Sequence, residues 1–358
     1  MRMNRLNVIM PVYNTAYYLK DSIESILHQT FTDFNLIIYD DGSTDNSWDI
    51  IKSYKDSRII AFRGNNNLAN IAKARNICLS KSNAEFIAFQ DSDDISEPHR
   101  LKVQLDFLQK NPDLGVTGSW GYYIFEDENY LYKHLQTHPP LSDEEIKINL
   151  FIRFSTFINT SVMLRASLFR SKTRIFSEMY PTSEDYCLWL ELARETKFAN
   201  IPDFLITHRI HKRQTTQLQL SSHNQNERKV LMRWIRFYFD LDESEAKSHL
   251  ATFFEKSFSS FDDALMKKNW MTKFLMYNHQ KKILYQELLM ENLGKLWTNI
   301  CLQYPEHGIK IWNLYFGSYL RRAYPIGHLN MFKYLIKCLA NECNNFKEKI
   351  NKCSLTRL

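Results

Sequence analysis

The chain has 358 residues, 44% hydrophobic and 24% charged, values that exclude wholesale disorder and leave material for about two domains. Its 46 Lys+Arg against 40 Asp+Glu give a formal charge of +6, too small an excess to imply a nucleic-acid partner. Only nine glycines occur, none in GxGxxG or in GxxxxGK followed by Ser or Thr, which counts against dinucleotide-binding dehydrogenases and P-loop nucleotidases.

Leu6–Met10 is a short apolar run, predicted as a strand ended by Pro11. The stretch after Arg2 and Arg5 is broken by Asn7 and Pro11 and does not make a signal peptide. No run approaches the ~18–20 apolar residues of a membrane span, so the expected compartment is the cytoplasm. Leu19, Ile23, Ile26 and Leu27 fall at helical spacing and predict a helix over 16–29. Phe34–Tyr39 reads as a second strand stopping at Asp40-Asp41-Gly42, after which Ser43 or Asp45 can cap a helix carrying Trp48, Ile50 and Ile51. Ile59–Phe62 is a third strand, Ile71–Leu79 a helix and Phe86–Phe89 a fourth strand, with a helix following from Pro98. Strands alternating with helices predict an α/β fold with a mostly parallel sheet covered on both faces.

After Gly115–Ser119 the pattern loosens. Tyr122–Tyr132 is expected to form a hairpin, and Ser142 to Glu145 is a capping-box signature before a short helix. Ser161–Leu164 reads as a buried strand, Glu184–Ala193 as a helix and Leu205–Arg209 as a last strand. Gln214–Ser222, rich in Gln, Ser and Thr, is predicted as a linker. Everything beyond it has helical spacing, so two domains are expected, 1–214 and an all-helical 215–358. Six cysteines (78, 187, 301, 338, 343 and 353) form no CxxC pair, so reduced thiols are expected rather than zinc or redox chemistry.

In open parallel sheets, ligands bind beyond the carboxyl ends of the strands. The first strand delivers Tyr13-Asn14 there, the second Asp40-Asp41-Gly42-Ser43 and the fourth Asp91-Ser92-Asp93-Asp94. One acidic strand end is ordinary turn chemistry. Two on one rim would repel unless a cation or hydrogen-bond donors compensated them, which points to a hard divalent metal with oxygen ligands.

The ordered set Val8-Ile9-Met10-Pro11-Val12-Tyr13-Asn14, Asp40 to Asp45, Ala74-Arg75-Asn76 and Asp91 to Asp94 resembles the family 2 glycosyltransferases of the GT-A fold, in particular bacterial enzymes of surface polysaccharide and lipopolysaccharide assembly. The resemblance covers residues 5–120 closely and continues more loosely to about 212. It implies that Pro11, Tyr13 and Asn14 line a nucleotide pocket, that Asp41 accepts a hydrogen bond from uracil and that Arg75 approaches the base or diphosphate. It further implies that Asp91-Ser92-Asp93 is the family's DxD motif, with Asp91 near ribose and donor sugar, Asp93 on a Mg²⁺ or Mn²⁺ that bridges the diphosphate, and Asp91 a second candidate ligand of that ion. Ser183-Glu184-Asp185-Tyr186 fits the family's later ED motif, which makes Asp185 the expected base for the acceptor hydroxyl. The plainer alternative is that Glu184 and Asp185 complement a helix dipole. His208-Arg209-Ile210-His211 resembles the closing R-x-H segment, with His211 a candidate metal ligand and Arg209, Lys212 and Arg213 candidate phosphate contacts; a basic strand end facing solvent is the alternative. The chain departs from the family at Asn67-Leu68-Ala69, where Ala69 stands near a usual glycine, and at Cys78, often glycine.

The expected activity is an inverting, metal-dependent transfer of a hexosyl or N-acetylhexosaminyl group from a nucleotide-sugar, UDP-linked by preference, to a glycan or lipid-linked acceptor. The alternatives are a degenerate glycan-binding protein and a HAD-type phosphatase using Asp91-x-Asp93. Up to residue 215 the chain has 25 Lys+Arg and 27 Asp+Glu, and after it 21 and 13, so the whole positive excess lies in the helical tail. Trp234–Phe239 and Trp312–Lys337 interleave aromatic and basic residues there. They suit a helical core with solvated charges, a peripheral contact with an anionic membrane, or an acceptor-binding or homodimer surface.

Overall fold

Strand β1 (Leu6–Val12) is buried along its whole length, as the centre of a sheet covered on both faces requires. It pairs in parallel with β2 (Phe34–Asp40), which pairs in parallel with β3 (Ile59–Arg63); on its other side β1 pairs in parallel with β4 (Phe86–Phe89). Three helices make the crossovers: α1 (Ala16–Leu27), α2 (Ser47–Ser53) and α3 (Ile71–Ser80). This is a computed structural model, and it describes residues 5–65, 67–68, 70–127, 130–153, 156–169, 175–254, 260–304, 307–325, 327 and 330–341. Ala69, Cys343 and Cys353 lie outside the described residues, as do positions 326, 328 and 329 of the basic aromatic segment.

The expectation that Pro11 ends the first strand is corrected, and hydrogen-bond direction explains why. The Ile9 carbonyl accepts from the Gln90 N–H at 3.0 Å, and the Val12 carbonyl accepts from the Asp41 N–H at 2.8 Å. Odd-numbered residues of β1 therefore turn their backbone groups toward β4. Because β4 stops at Phe89, opposite Ile9, the N–H that Pro11 lacks would have pointed past the last paired residue.

Beyond β4 the sheet becomes mixed. The next elements are β5 (Ile95–Ser96), α4 (Arg100–Lys110), β6 (Leu114–Asp127), β7 (Tyr130–Thr137), α5 (Asp143–Ile152), β8 (Met163–Arg165), α6 (Glu184–Leu192) and β9 (Lys197–Ile210). The order across the sheet is β3-β2-β1-β4-β8-β6-β9-β5, with β7 paired to β6 as the expected hairpin. Strand β9 is far longer than its predicted piece. Its pairing with β6 jumps from Ile201 to Phe204, so Pro202 and Asp203 bulge out of register and hide the continuity from a sequence reading. The capping box at Ser142 and Glu145 forms as predicted. Leu6, Val8 and Met10 pack with Leu19, Ile23 and Ile26 of α1 and with Leu101, Leu105 and Leu108 of α4, while α3 packs on β1 and β2.

The predicted linker is also corrected. It is helical, as α7 (Thr215–Leu218) and the start of α8 (Leu220–Phe239). Its polar composition misleads because part of the inward stripe of α8 is itself polar: Asn226 is buried at helical spacing from Val230 and Leu231, with His223 and Glu227 half-buried between them. The chain divides into two units, Met1–Trp234 and Ile235–Leu358, so the division falls inside α8. The second unit is helical: α9 (Glu243–Phe253), α10 (Phe261–Lys281), α11 (Gln286–Gln303), α12 (Gly308–Phe316) and α13 (Leu320–Ala323). Phe239, Phe274, Leu293, Trp297 and Tyr315 are buried in it, whereas Phe237, Phe332 and Ile336 are exposed. Among the described residues no helix is long and apolar enough to cross a membrane, and Cys78, Cys187, Cys301 and Cys338 are buried free thiols.

Candidate active site

The site is built at the carboxyl ends of β1, β2 and β4 from loops tied to one another by short polar side chains. Asn14 takes a left-handed backbone (φ 52°), which its short side chain tolerates. Its carboxamide oxygen accepts from the Thr44 N–H at 2.8 Å, and its own N–H donates to Ser43 Oγ at 3.0 Å, joining the first rim loop to the second. Asp45 accepts from the N–H groups of Ala16 and Ser47. Tyr13 is left 41% exposed beside this seam, and Pro11 is buried beneath it.

The two adjacent acids of β2 have separate surroundings. Asp40 is fully buried, accepts from the Ser43 N–H and lies 3.1 Å from the Arg63 guanidinium. Asp41 receives the Leu68 N–H at 3.1 Å on both carboxylate oxygens. Burial pushes its pKa up to about 6, against the lowering effect of that hydrogen bond.

The loop after β4 is held from below and from the side. Gln90, fully buried, donates to the carbonyls of Asp91 and Asp94, and the buried Arg100 donates to the Gln90 side chain and the Phe89 carbonyl. Thr15 Oγ1 donates to Ser92 Oγ at 3.0 Å. Asp94 is the anchor that sequence reasoning did not assign. Fully buried, it accepts from the Arg209 N–H and pairs with His208 Nδ1, both at 2.9 Å. Burial raises Asp94 to about 6; it disfavours the charge on His208 too, yet the Asp94 carboxylate more than offsets that and raises His208 to about 9. This pair locks the end of β9 onto the DxD loop. In consequence His211 Nε2 sits 3.1 Å from Asp93 Oδ2, with its ring stacked on Tyr18 at 4.3 Å between centroids. The Arg209 guanidinium binds the Asp93 carbonyl and the Asp21 carboxylate. A cavity of about 200 Å³, lined by Tyr17, Tyr18, Asp21, Ile124, Glu126 and Arg209, opens beside it.

Arg75 connects the DxD loop to the ED motif. Only 5% exposed, it donates from Nη2 to Asp91 Oδ1 at 2.9 Å and from Nη1 to Glu184 Oε1 at 2.5 Å. With the Asn159 carboxamide oxygen turned toward it, both nitrogens gain a third acceptor at 2.6 and 3.0 Å. Burial opposes the charge on Arg75, but the two carboxylates overcome it and raise its pKa. Glu184 is pushed up to about 7 by its own burial, against the pull of Arg75. Cys78, the other departure from family pattern, sits inside α3 and needs no left-handed backbone. Asp185 differs from Glu184 in being partly exposed, and it accepts a hydrogen bond from the neighbouring Tyr186 N–H at 2.7 Å. Burial raises its pKa, again against Arg75.

Among the described residues no three His, Cys, Asp or Glu side chains form a cage for a metal. The donors fit a divalent ion of another kind, one held by one or two protein groups and completed by ligand phosphates. Asp93 and His211 Nε2 converge on one point, whereas Asp91 has already given Oδ1 to Arg75. His211 Nδ1 is buried without a hydrogen-bond partner, so the ring is oriented by its stacking on Tyr18 and by the contact of Nε2 with Asp93.

Comparison with known proteins adds the following. The family described as glycosyl transferase family 2 matches residues 7–171. An uncharacterized glycosyltransferase of Haemophilus influenzae is 30% identical over 243 residues, 66% of this chain and 74% of that protein. WfaP of Escherichia coli, described as a UDP-Glc:alpha-D-GlcNAc-diphosphoundecaprenol beta-1,3-glucosyltransferase, is 32% identical over 190 residues, 53% of this chain and 70% of that protein. Among solved structures, S. aureus TarS 1-349 in complex with UDP-GlcNAc has a TM-score of 0.54 at 18% identity, covering 88% of this chain and 93% of that one. The mannosyltransferase PcManGT from Pyrobaculum calidifontis, in complex with GDP-Man and Mn²⁺, has a TM-score of 0.50 at 13% identity, covering 94% and 86%.

Proposed function

Because this chain belongs to glycosyl transferase family 2 and carries the GT-A fold, we propose that it moves a hexosyl or N-acetylhexosaminyl group, with inversion, from a UDP-sugar to a hydroxyl of a glycan or lipid-linked acceptor. One observation carries the reading. The DxD loop and the ED motif, far apart in sequence, share a single buried guanidinium, that of Arg75. That arrangement supports a donor held on one side of the reacting carbon and a proton acceptor on the other.

Asp185 is the proposed general base. Asp185 is half-buried where Glu184 is buried, and a raised pKa brings it closer to the acidity of a working base near neutral pH. As the acceptor oxygen forms its bond to the anomeric carbon, the bond from that carbon to the diphosphate oxygen breaks and the acceptor proton passes to Asp185. A base so placed contributes about 10²–10⁴-fold. Glu184 is assigned to hold Arg75, and Arg75 to hold Asp91, so both act through their neighbours. Asp41 is assigned to the uracil N–H, and Pro11 and Tyr13 to the walls of the base pocket. Asn14 and Ser92 keep the loops in register.

Asp93 and His211 are the proposed ligands of Mn²⁺ or Mg²⁺, with Asp91 adjacent. When bound, the ion neutralises charge on the departing diphosphate as a Lewis acid. The preference for UDP-sugars draws on the UDP-linked substrate in the description of WfaP and on the UDP-GlcNAc complex of TarS. Residues 215–358, with their positive excess, are assigned to acceptor, membrane-surface or dimer contacts. A thermal-shift screen of UDP-, GDP-, CMP- and dTDP-sugars, with and without Mn²⁺, tests the reading. A ligand at 100 times its Kd adds about 2.7 kcal/mol of apparent stability. The expected outcome is a Mn²⁺-dependent shift with UDP-sugars, and no shift with any donor would remove the proposal's basis.

A further inference from the structure

The residues just before the ED motif hold a backbone conformation that their sequence disfavours. The Ser183 N–H donates to the Tyr180 carbonyl at 3.1 Å, closing a turn with Pro181 second and Thr182 third. Thr182 has φ 73°, the left-handed region that a third position after Pro ordinarily gives to glycine. For a β-branched residue this is a true outlier, and such outliers persist only where their surroundings over-determine them. Thr182 does not supply the restraint itself, because its hydroxyl is buried with no hydrogen-bond partner.

The restraint comes from the first half of α8. Asn226 Nδ2 donates to the Pro181 carbonyl at 2.5 Å, and His223 Nδ1 lies 2.6 Å from the Thr182 carbonyl. Ser183 Oγ donates in turn to the His223 carbonyl at 3.4 Å. The other ring nitrogen of His223 meets Glu227 one turn on, at 3.3 Å. The hydrogen bond that His223 donates to Glu227 raises the imidazole to about 9, so at neutral pH the imidazolium donates from both nitrogens. Asn226 is 8% exposed, too buried to be spent on solvent. Both carbonyls of the strained turn are thus gripped by side chains one helical turn apart on a single helix face.

We propose that His223 and Asn226 form a clamp that keeps Thr182 left-handed and thereby aims Asp185 at the acceptor hydroxyl. They are positioning residues, and the inference rests on the reading of Asp185 as base. The clamp also gives a physical reason for the buried polar stripe on α8: its side chains grip main-chain atoms of the turn that presents the reacting carboxylate.

The test uses the full chain with Mn²⁺ and UDP-GlcNAc or UDP-Glc, reading kcat by UDP release with water as the acceptor hydroxyl, and UDP affinity by thermal shift. Removing both clamp side chains, His223→Ala with Asn226→Ala, should lower kcat on the order of 10²-fold, as misplacement of a reacting group does, while UDP affinity stays unchanged. Repeating the pair in a Thr182→Gly background should cost only a few-fold, because glycine enters the left-handed region about as readily as the right-handed one. Equal losses in the two backgrounds, or no loss with Thr182 present, would overturn the clamp. If the double variant folds only in the Thr182→Gly background, the clamp is supported; failure to fold in both backgrounds counts against it. Asp185→Asn, run alongside, separates the two ideas: wild-type turnover by that variant sinks the base assignment whatever the clamp variants do.

Discussion

Arg75→Met keeps the side-chain volume and removes the guanidinium that two acids share. Breaking a buried ion pair by deleting one partner costs about 3–5 kcal/mol, because the remaining charge is stranded. Here the Glu184 side chain is 4% exposed and fully stranded, whereas Asp91 at 25% regains some water, which argues for the lower end, about 3 kcal/mol. In a folding unit the size of Met1–Trp234, one kcal/mol shifts Tm by about 2–4 °C, so a fall of about 6–12 °C is expected. The fall should depend on pH in a definite sense. A carboxyl group whose pKa is raised on folding stabilises below its ordinary value, and that contribution is lost as pH rises through the folded pKa, which for Glu184 is about 7. At pH 6 most Glu184 carries a proton and Arg75 serves Asp91 alone; at pH 8 it serves both. The deficit of the variant should therefore be larger at pH 8 than at pH 6. Circular-dichroism melts of both proteins at the two pH values measure it. A fall of less than about 2 °C at pH 8, or the same fall at both, would show that Arg75 does not hold the two motifs together.

Four further outcomes are expected. Asp185→Asn should reduce sugar transfer by about 10²–10⁴-fold with UDP binding intact, whereas Asp93→Asn should erase the Mn²⁺-dependent part of the UDP thermal shift. UDP affinity should weaken as pH falls through about 6, where Asp41 takes up a proton and stops being an ionised acceptor; titration calorimetry on Asp41→Asn should show that dependence gone. Gly118→Ala should destabilise by about 1–3 kcal/mol in a denaturant titration, since an added Cβ would stand 2.2 Å from Asn200 Oδ1 and 2.7 Å from Phe157 Cδ1.

The parts of this site that were legible in the sequence are local. The acidic strand ends, the ED pair and the capping box at Ser142 each lie within a few residues and carry their own chemistry. What was not legible depends on pairing at a distance. The third acid of the DxD loop is visible as a letter, but only the fold shows Asp94 meeting His208, 114 positions away. Arg75 announces a charge without its direction, and only the fold shows its guanidinium between the carboxylates of Asp91 and Glu184. Hydrophobic periodicity overlooked the first half of α8 because its inward stripe is partly imidazole and amide. Strand β9 was read only from Leu205 to Arg209, because Pro202 and Asp203 step out of register mid-strand.

Pro11 bears on how a nucleotide can be told apart at this rim. A strand that outruns its neighbour ordinarily leaves an unpaired N–H facing the gap, and any guest must answer that demand with an acceptor. At the parting of β1 and β4 the imino acid removes that donor, so this wall of the crevice offers a ligand no N–H, only the Pro11 carbonyl. Under the proposed reading, the wall accepts any flat ring, and discrimination between bases falls on the one carboxylate opposite, Asp41. Exchanging that single side chain, rather than reshaping the wall, is then the route to a different nucleotide.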